Sequence, residues 1–112
     1  MTYIKICGTL HPATITGRVH DENWDRRESK AITLEMDYEV AKKMFVDGLA
    51  WSIVQEHEIE TENGVEIQQT EYDNSAFNLA GDITDHRDGR VTIKMGKLTD
   101  LEEAYELMLG GM

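Results

Sequence analysis

The chain has 112 residues, of which 40% are hydrophobic and 29% are charged, a composition typical of a folded globular protein. Its 22 acidic and 11 basic residues give a formal net charge of -11 at pH 7. A field of that sign repels nucleic acid and anionic membranes, so direct binding to either is not expected. The charge is uneven: residues 1–50 hold 8 acids and 7 bases, whereas residues 51–112 hold 14 acids and 4 bases. We therefore expect a protein partner with a basic surface.

Length and cysteine content indicate the domain number and the compartment. A chain of this size is expected to form a single domain, residues 1–112, that buries about two thirds of its unfolded surface. No stretch approaches the ~20 apolar residues that cross a bilayer, and the start, MTYIKICG, lacks the apolar run of a secretory signal. The single cysteine, Cys7, is typical of a reducing compartment. We predict a cytoplasmic location.

Alternation of apolar and polar residues predicts strands in the first half of the chain. These strands are expected around Ile4 and Ile6, over residues 13–20, and over residues 30–36. A short helix follows, in which Asp37 is a good N-cap and Asp47-Gly48 ends the element. The expected core-facing positions of this helix are the pairs Val40/Met44 and Ala41/Phe45.

The second half predicts four more strands and a capped helix. Residues 49–60 and 65–72 form strands around Glu62-Asn63-Gly64, because Asn-Gly tolerates the positive φ angles of a type I′ hairpin turn. Two further strands contain Phe77, Leu79 and Ile83, then Val91, Ile93 and Met95. The last helix has a Thr99/Glu102 capping box, an end at Gly110-Gly111, and an apolar stripe of Leu101, Ala104, Tyr105, Met108 and Leu109. The fold class is therefore α+β, a largely antiparallel sheet of about seven strands with one short and one C-terminal helix packed on it.

Three aspartates near the C-terminal end, Asp82, Asp85 and Asp88, recur at every third residue. A calcium loop needs ligands at alternate positions and a bidentate glutamate at its twelfth position, where this chain has Ile93. A hairpin turn explains the pattern better, with Arg87 and Asp88 at the centre of a type I turn and Gly89 in the left-handed region. A small-ligand or metal-binding module centred on Asp85, His86 and Asp88 remains a third hypothesis for the function.

No arrangement of residues indicates a reaction. The four histidines share no ligand spacing, and a single cysteine cannot supply a zinc site. Cys7 and His11 lie close in sequence, but Cys7 falls in a predicted strand, where a small buried apolar role is commoner than that of a nucleophile. Motifs for nucleotide binding and for serine hydrolases do not occur. We predict a non-enzymatic protein without a cofactor or a metal.

The predicted hairpin is strongly acidic. From Glu56 to Asp73 there are seven acids and no lysine or arginine. Alternating glutamates line one face of the strand at ~6.8 Å intervals, twice the rise per residue, and these residues are Glu56, Glu58, Glu60 and Glu62. One interpretation is a solvated face that keeps the domain soluble and protects a sheet edge. The other is a polyanionic surface for a basic protein partner.

Trp24 lies in the charged segment DENWDRRES, next to Arg26 and Arg27. Tryptophan and arginine are the residue types that most often anchor protein interfaces, so these three residues are predicted to contact a partner. Alternatively, Trp24 folds back over the open end of the sheet while the charged residues stay in water. Both interpretations remain open on the sequence alone.

Three segments of the chain resemble a family of small proteins. The runs are ATITGRVHDENWDRRESKAITLEMDY, FVDGLAWSIV and YDNSAFNLAGDITDHRDGRVTIKMGKLTDLEEAYELM. They are similar to uncharacterised proteins encoded in phages and prophages of Gram-positive bacteria, in genes of the tail and virion-structure module. The long acidic hairpin between WSIV and YDNS departs from that pattern.

The resemblance implies a phage or prophage protein that acts by protein–protein contact as a virion or tail-assembly accessory. The expected location becomes the cytoplasm of the bacterial host, with incorporation into the virion as an alternative. A homo-oligomer is also left open. The second functional hypothesis is an acidic inhibitor of a host defence nuclease, of the anti-CRISPR type, in which Glu56, Glu58, Glu60 and Glu62 replace nucleic-acid phosphates.

Overall fold

The computed structural model describes residues 1–110, which form seven strands and two helices. The strands are β1 (Thr2–Ile6), β2 (Thr9–Asp21), β3 (Arg27–Glu35), β4 (Ser52–Thr61), β5 (Gly64–Asp73), β6 (Leu79–Asp85) and β7 (Arg90–Gly96). The helices are α1 (Tyr38–Met44) and α2 (Asp100–Gly110). This order confirms the predicted α+β class.

All the strands belong to one antiparallel sheet with the order β5-β4-β1-β2-β3-β7-β6. The long strand β2 joins the two halves of this sheet, because residues 9–12 pair with β1 and residues 13–18 pair with β3. Strands β5 and β6 lie at the two edges. Each edge strand therefore has one hydrogen-bonding side without a neighbouring strand in residues 1–110.

The core lies on one face of the sheet, because side chains along a strand alternate between its two faces. The register aligns a row of isoleucines across four strands, namely Ile15, Ile32, Ile93 and Ile83. Ile32 and Ile93 are completely buried, and burial of each side chain contributes about 1.5–3 kcal/mol to stability. On the opposite face the same strands align a row of threonines, namely Thr14, Thr33, Thr92 and Thr84.

Helix α1 covers the part of the core face formed by β6 and β7. Asp37 is its N-cap, as predicted, and the Asp37 carboxylate accepts a hydrogen bond from the Glu39 N–H at 2.8 Å. The Ala41 and Phe45 side chains are buried in the core. Val40, from the other predicted pair, is 48% exposed. The helix is confirmed, but its buried face is narrower than the sequence indicates.

The base of the β4–β5 hairpin is anchored in the core by the residues on either side of it. Trp51 is buried, and its indole N–H donates to the Phe77 carbonyl at 2.9 Å. The Asn74 N–H donates to the Trp51 carbonyl at 2.9 Å, and the Asn74 side chain is also buried. These bonds satisfy polar groups that would be costly to bury unpaired. The two ends of the hairpin are therefore held firmly.

Helix α2 begins with the predicted capping box. The Thr99 N–H donates to Glu102 Oε1 at 2.9 Å, and the Glu102 N–H donates to Thr99 Oγ1 at 3.3 Å. These reciprocal bonds satisfy two backbone N–H groups that would otherwise have no partner within the helix. The predicted contribution of the Leu109 side chain and the stop at Gly111 lie outside the described residues.

The apolar stripe of α2 is exposed, although the sequence predicts that it packs on the sheet. The Leu101, Tyr105 and Met108 side chains are 81%, 62% and 74% exposed. A capping box is a local interaction and forms without the rest of the fold, whereas burial of the stripe needs a free apolar surface close to the helix. Helix α1 already occupies the β6–β7 part of the core face.

Candidate functional site

The β4–β5 hairpin extends beyond the body of the sheet. Strand β1 pairs with β4 only as far as Gln55, which lies opposite Thr2. Residues 56–69, here called the arm, therefore form a two-stranded ribbon that extends ~20 Å past the last β1 pairing. The Cα radius of gyration is 16.5 Å, which exceeds the ~13 Å of a compact chain of this length. Every residue from His57 to Asp73 is exposed.

The turn of the arm confirms the predicted hairpin but not its predicted type. Thr61 pairs with Gly64, so Glu62 and Asn63 are the two turn residues. Only Gly64 among these residues has a positive φ, at 115°, whereas a type I′ turn needs two. Glu62 consequently lies in the turn, and the prediction that it continues the row of strand glutamates is wrong.

One face of the arm places a row of glutamates beside a row of uncharged side chains. Glu56, Glu58 and Glu60 follow each other along β4, as the alternation predicts. Their partners on β5 are Gln69, Ile67 and Val65, in that order. Ile67 and Val65 are 66% and 63% exposed. Because no glutamate lies directly opposite another, the cost of cross-strand repulsion is avoided.

The negative charge of the hairpin is mostly uncompensated. Within residues 1–110, Lys5 is the one cation that pairs with a hairpin acid, at 3.0 Å from Glu71 Oε1. The Gln69 side chain donates to Glu56 Oε1 at 3.2 Å, which orients that carboxylate without neutralising it. Desolvation raises the pKa of the Tyr3 phenol, and the nearby Glu56 carboxylate raises it further. The arm therefore presents a negative potential to solvent.

Trp24 belongs to a tight loop, residues 21–27, that folds over the end of the sheet. The N–H groups of Trp24 and Arg26 donate to the Asp21 carbonyl at 3.0 and 2.8 Å. The indole ring covers Gly81 and Gly96, where a Cβ would lie 2.9 and 2.6 Å from ring carbons. Only glycine leaves room for the ring at these two positions. The structure therefore agrees with the interpretation that Trp24 folds back.

Arg27 faces inward and is only 5% exposed. Its guanidinium donates to both Glu102 oxygens at 2.7 and 3.2 Å and to the Lys97 carbonyl at 3.1 Å. It also lies 4.9 Å from the centre of the Trp24 ring. Hydrogen bonds from Arg27 lower the pKa of Glu102 to about 2. Arg27 consequently joins the loop to α2, and its predicted role as a contact residue does not fit this conformation.

Arg26 is the member of the predicted Trp24 surface that faces solvent. Its side chain is 71% exposed and lies 3.8 Å from Glu22, which is 77% exposed. An ion pair with that exposure contributes little to stability. Arg26 is available to a partner, whereas Trp24 is half-buried and Arg27 is buried. The three residues therefore do not form one exposed patch.

Two charged side chains that the sequence analysis did not identify, those of Asp21 and Lys30, make contacts inside the fold. Asp21 is completely buried and accepts from Lys94 at 2.7 Å and from Ser29 at 3.0 Å. The Lys94 hydrogen bond lowers the pKa of Asp21 despite its burial. Lys30 lies 4.5 Å from the Phe77 ring centre, and desolvation lowers its pKa. No local pattern reveals these contacts, because the partners come from distant parts of the chain.

The aspartate-rich stretch forms the β6–β7 connection, as predicted. Asp85 accepts from the Arg87 N–H at 2.9 Å, and Asp88 pairs with the Arg90 guanidinium at 2.7 Å. Arg87 has a φ of 60°, so the predicted type I turn is wrong, although Gly89 has the expected positive φ of 89°. No group of three metal-ligating side chains occurs in residues 1–110.

Cys7 lies in the turn between β1 and β2 and is exposed. Its φ is 51° and that of the following Gly8 is 80°. The prediction that Cys7 is a buried strand residue is wrong, because a two-residue turn joins Ile6 directly to Thr9.

An open groove of about 970 Å³ lies beside the N-terminal strands. Its apolar lining includes Ala13, Ile15 and Ile53, and His11 and Arg90 also line it. Ala13, Ile15 and Ile53 are partly buried and pack against the core. Its lining therefore combines core-face residues with residues of the opposite face, such as Thr14 and Thr33.

Comparisons of the chain with protein-family models, with curated proteins and with solved structures found no match. In the part of the chain that the structure describes, no helix has the length and apolar character needed to cross a membrane. Support for a function therefore comes from the residues themselves, and above all from the arm.

Proposed function

We propose that this protein is non-catalytic and acts by protein–protein contact through the arm. The observation that carries the proposal is the projection of an exposed ribbon whose hairpin holds seven acids and no lysine or arginine. Such a surface attracts a basic protein partner and accelerates the encounter with it. Ion pairs formed at the contact offset the repulsion between neighbouring glutamates.

The energetics of the arm support a contact role. An isolated two-stranded hairpin is marginally stable in water, because it buries little apolar surface. Ile67 and Val65 are exposed, and Ile59 on the other face is 38% exposed. Docking against a partner would remove these side chains from water, at about 25 cal/mol for each Å² of apolar surface buried. The arm gains stability from a partner that the domain itself does not supply.

The proposed setting is a phage or prophage virion, in which the protein is a structural or tail-assembly accessory. This setting rests on the resemblance of the chain to phage-encoded proteins. The protein would be made in the cytoplasm of a bacterial host and associate there with a basic virion protein. Arg26, which is exposed beside the Trp24 loop, is a second contact point in this proposal.

The test is co-purification from cells in which the tagged protein is expressed with the rest of its gene neighbourhood. Glu58→Lys/Glu60→Lys reverses charge on the arm, and Asp82→Lys/Glu106→Lys makes the same change in net charge at exposed positions elsewhere. We expect the control variant to retain virion proteins identified by mass spectrometry and the arm variant to lose them. A chain that stays monomeric in light scattering and is absent from particles contradicts the proposal.

A second candidate is the acidic inhibitor of a host defence nuclease. It is favoured by the regular row of Glu56, Glu58 and Glu60 on one face, where carboxylates repeat every ~6.8 Å. This hypothesis predicts salt-sensitive inhibition of a purified defence nuclease, weakened at least about tenfold when Glu58 and Glu60 are changed to lysine, equivalent to ~1.4 kcal/mol. Inhibition of equal strength after that charge reversal counts against it.

A further inference from the structure

The outer side of β5 is an unpaired sheet edge of ten residues. In an antiparallel strand that is paired on one side, every second residue directs its N–H and C=O groups away from the neighbour. Strand β5 pairs with β4 continuously from Gly64 to Asp73. Its outer edge therefore offers a regular series of backbone donors and acceptors that no other strand in residues 1–110 satisfies.

The two edges of the sheet differ in their protection. Proteins guard edge strands by keeping them short and by placing bulges, prolines or lysines in them. The other edge strand, β6, has seven residues and a register irregularity between Ala80 and Ile83. Strand β5 is longer, has an unbroken register, and contains neither proline nor lysine. Of the two edges, β5 is the one open to another strand.

We propose that the β5 edge binds a cationic extended segment of the protein partner as an additional antiparallel or parallel strand. This inference rests on the proposed function, because it specifies how the arm contacts a basic protein. On one face of β5, a partner strand would meet Ile67 and Val65, which are exposed and apolar. On the other face it would meet Glu66, whose β4 neighbour is Ile59. A segment that alternates aliphatic and basic residues matches both faces.

Charge selects this occupant over a second copy of the chain. Pairing of two β5 edges would bring together two strands that each carry Glu66, Glu71 and Asp73 and no basic residue. Among the β5 acids of the described residues, only Glu71 has a cation within ion-pair distance, Lys5 at 3.0 Å. Like charges side by side in a sheet are destabilising. The acids thus prevent self-association at an otherwise open edge while they attract a basic strand.

Calorimetric titration with two synthetic peptides tests the inference. The first is a ten-residue peptide of alternating lysine and valine. The second has the same sequence but carries methyl groups on four central backbone nitrogens, so that charge is preserved while hydrogen bonding along its edges is blocked. We expect the methylated peptide to bind at least about tenfold more weakly, since several strand hydrogen bonds are lost.

Matched protein variants locate the site. Glu66→Lys is expected to weaken binding of the unmodified peptide by about tenfold, the effect of replacing an attractive contact by a repulsive one. Glu106→Lys changes the net charge equally at an exposed position on α2 and is expected to leave binding unchanged.

The outcomes separate the two proposals. Equal, salt-sensitive binding of both peptides would overturn strand addition and leave the acidic contact surface intact. Absence of binding by both peptides would count against the acidic contact surface as well as the strand edge. If Glu66→Lys and Glu106→Lys weaken binding of the unmodified peptide equally, binding depends on the net charge of the protein and not on contact with β5, which would overturn the proposal.

Discussion

The substitution Gly96→Ala tests whether the Trp24 ring is part of the packing of the sheet. A Cβ at residue 96 would lie 2.6 Å from Trp24 Cζ3 and 2.8 Å from Arg27 Cδ. These distances are far shorter than the ~3.5–4.0 Å separation of carbon atoms in contact. The ring is rigid and Arg27 is bonded to Glu102, so both neighbours have to move. Overpacking costs about 1–3 kcal/mol, and we expect about 2–3 kcal/mol here.

The control is Gly17→Ala, the same change within another strand. A Cβ at residue 17 meets no atom within 4 Å. We expect a change within about 0.5 kcal/mol, or a small gain in stability because alanine restricts the unfolded chain. Urea unfolding monitored by circular dichroism gives both free energies. Each kcal/mol lost should lower the Tm by about 4–8 °C.

Equal stability of the two variants would refute the packing of Trp24 on Gly96. A stricter comparison adds Trp24→Ala to each protein. If the ring causes the cost of Gly96→Ala, most of that cost disappears in the absence of the ring, because the side chain that would clash is gone. A cost that persists without the ring would place its origin in the backbone.

Three further predictions concern charged groups. Asp21→Asn removes the counter-charge of Lys94, which lies 2.7 Å from the completely buried Asp21 carboxylate. We expect the free energy of unfolding, measured by chemical denaturation, to fall by about 2–4 kcal/mol. A fall below about 1 kcal/mol would show that water already solvates the ion pair. Because Arg27 lowers the pKa of Glu102 from 4.5 to about 2, the ionised carboxylate stabilises the fold above pH 4.5, and this contribution is lost as the pH falls towards 2. Glu102→Gln should remove that part of the acid-unfolding profile, about 1 kcal/mol after screening of a side chain that is 40% exposed, whereas parallel profiles would contradict the ion pair. Titration with calcium, zinc or magnesium should give no heat, since Asp88 is already paired with an arginine; heat that vanishes in Asp88→Asn would restore the metal hypothesis.

The strands could be predicted because their signals are local. Alternation around Ile32 and Ile93 reflects the two faces of a strand, and it places both residues in the core. Asp37 and the Thr99/Glu102 capping box act within one helical turn, so the helix starts were also predictable. Such features need no knowledge of what lies across the fold.

The candidate sites were less predictable, because their geometry depends on distant residues. In the sequence Trp24 has the character of an interface anchor. In the structure its ring packs on Gly81 and Gly96, which lack the side chains that would exclude it. Arg27 resembles Arg26 in sequence, but Glu102 of the last helix turns it inward. The exposure of the α2 stripe has the same origin, since only the assembled sheet shows which apolar surface is already covered. The alternating glutamates of β4 were predictable, but the unpaired edge of β5 follows from the strand order alone.

The most direct test that the arm is the contact surface is amide hydrogen exchange of the isotopically labelled protein, alone and with the alternating lysine–valine peptide. Protection should increase at every second amide of β5, where the N–H groups face outward, while the loop at residues 21–27 and helix α2 are unchanged. Exchange that slows in the loop or in α2 while β5 stays unprotected would contradict the assignment of the arm as the contact surface.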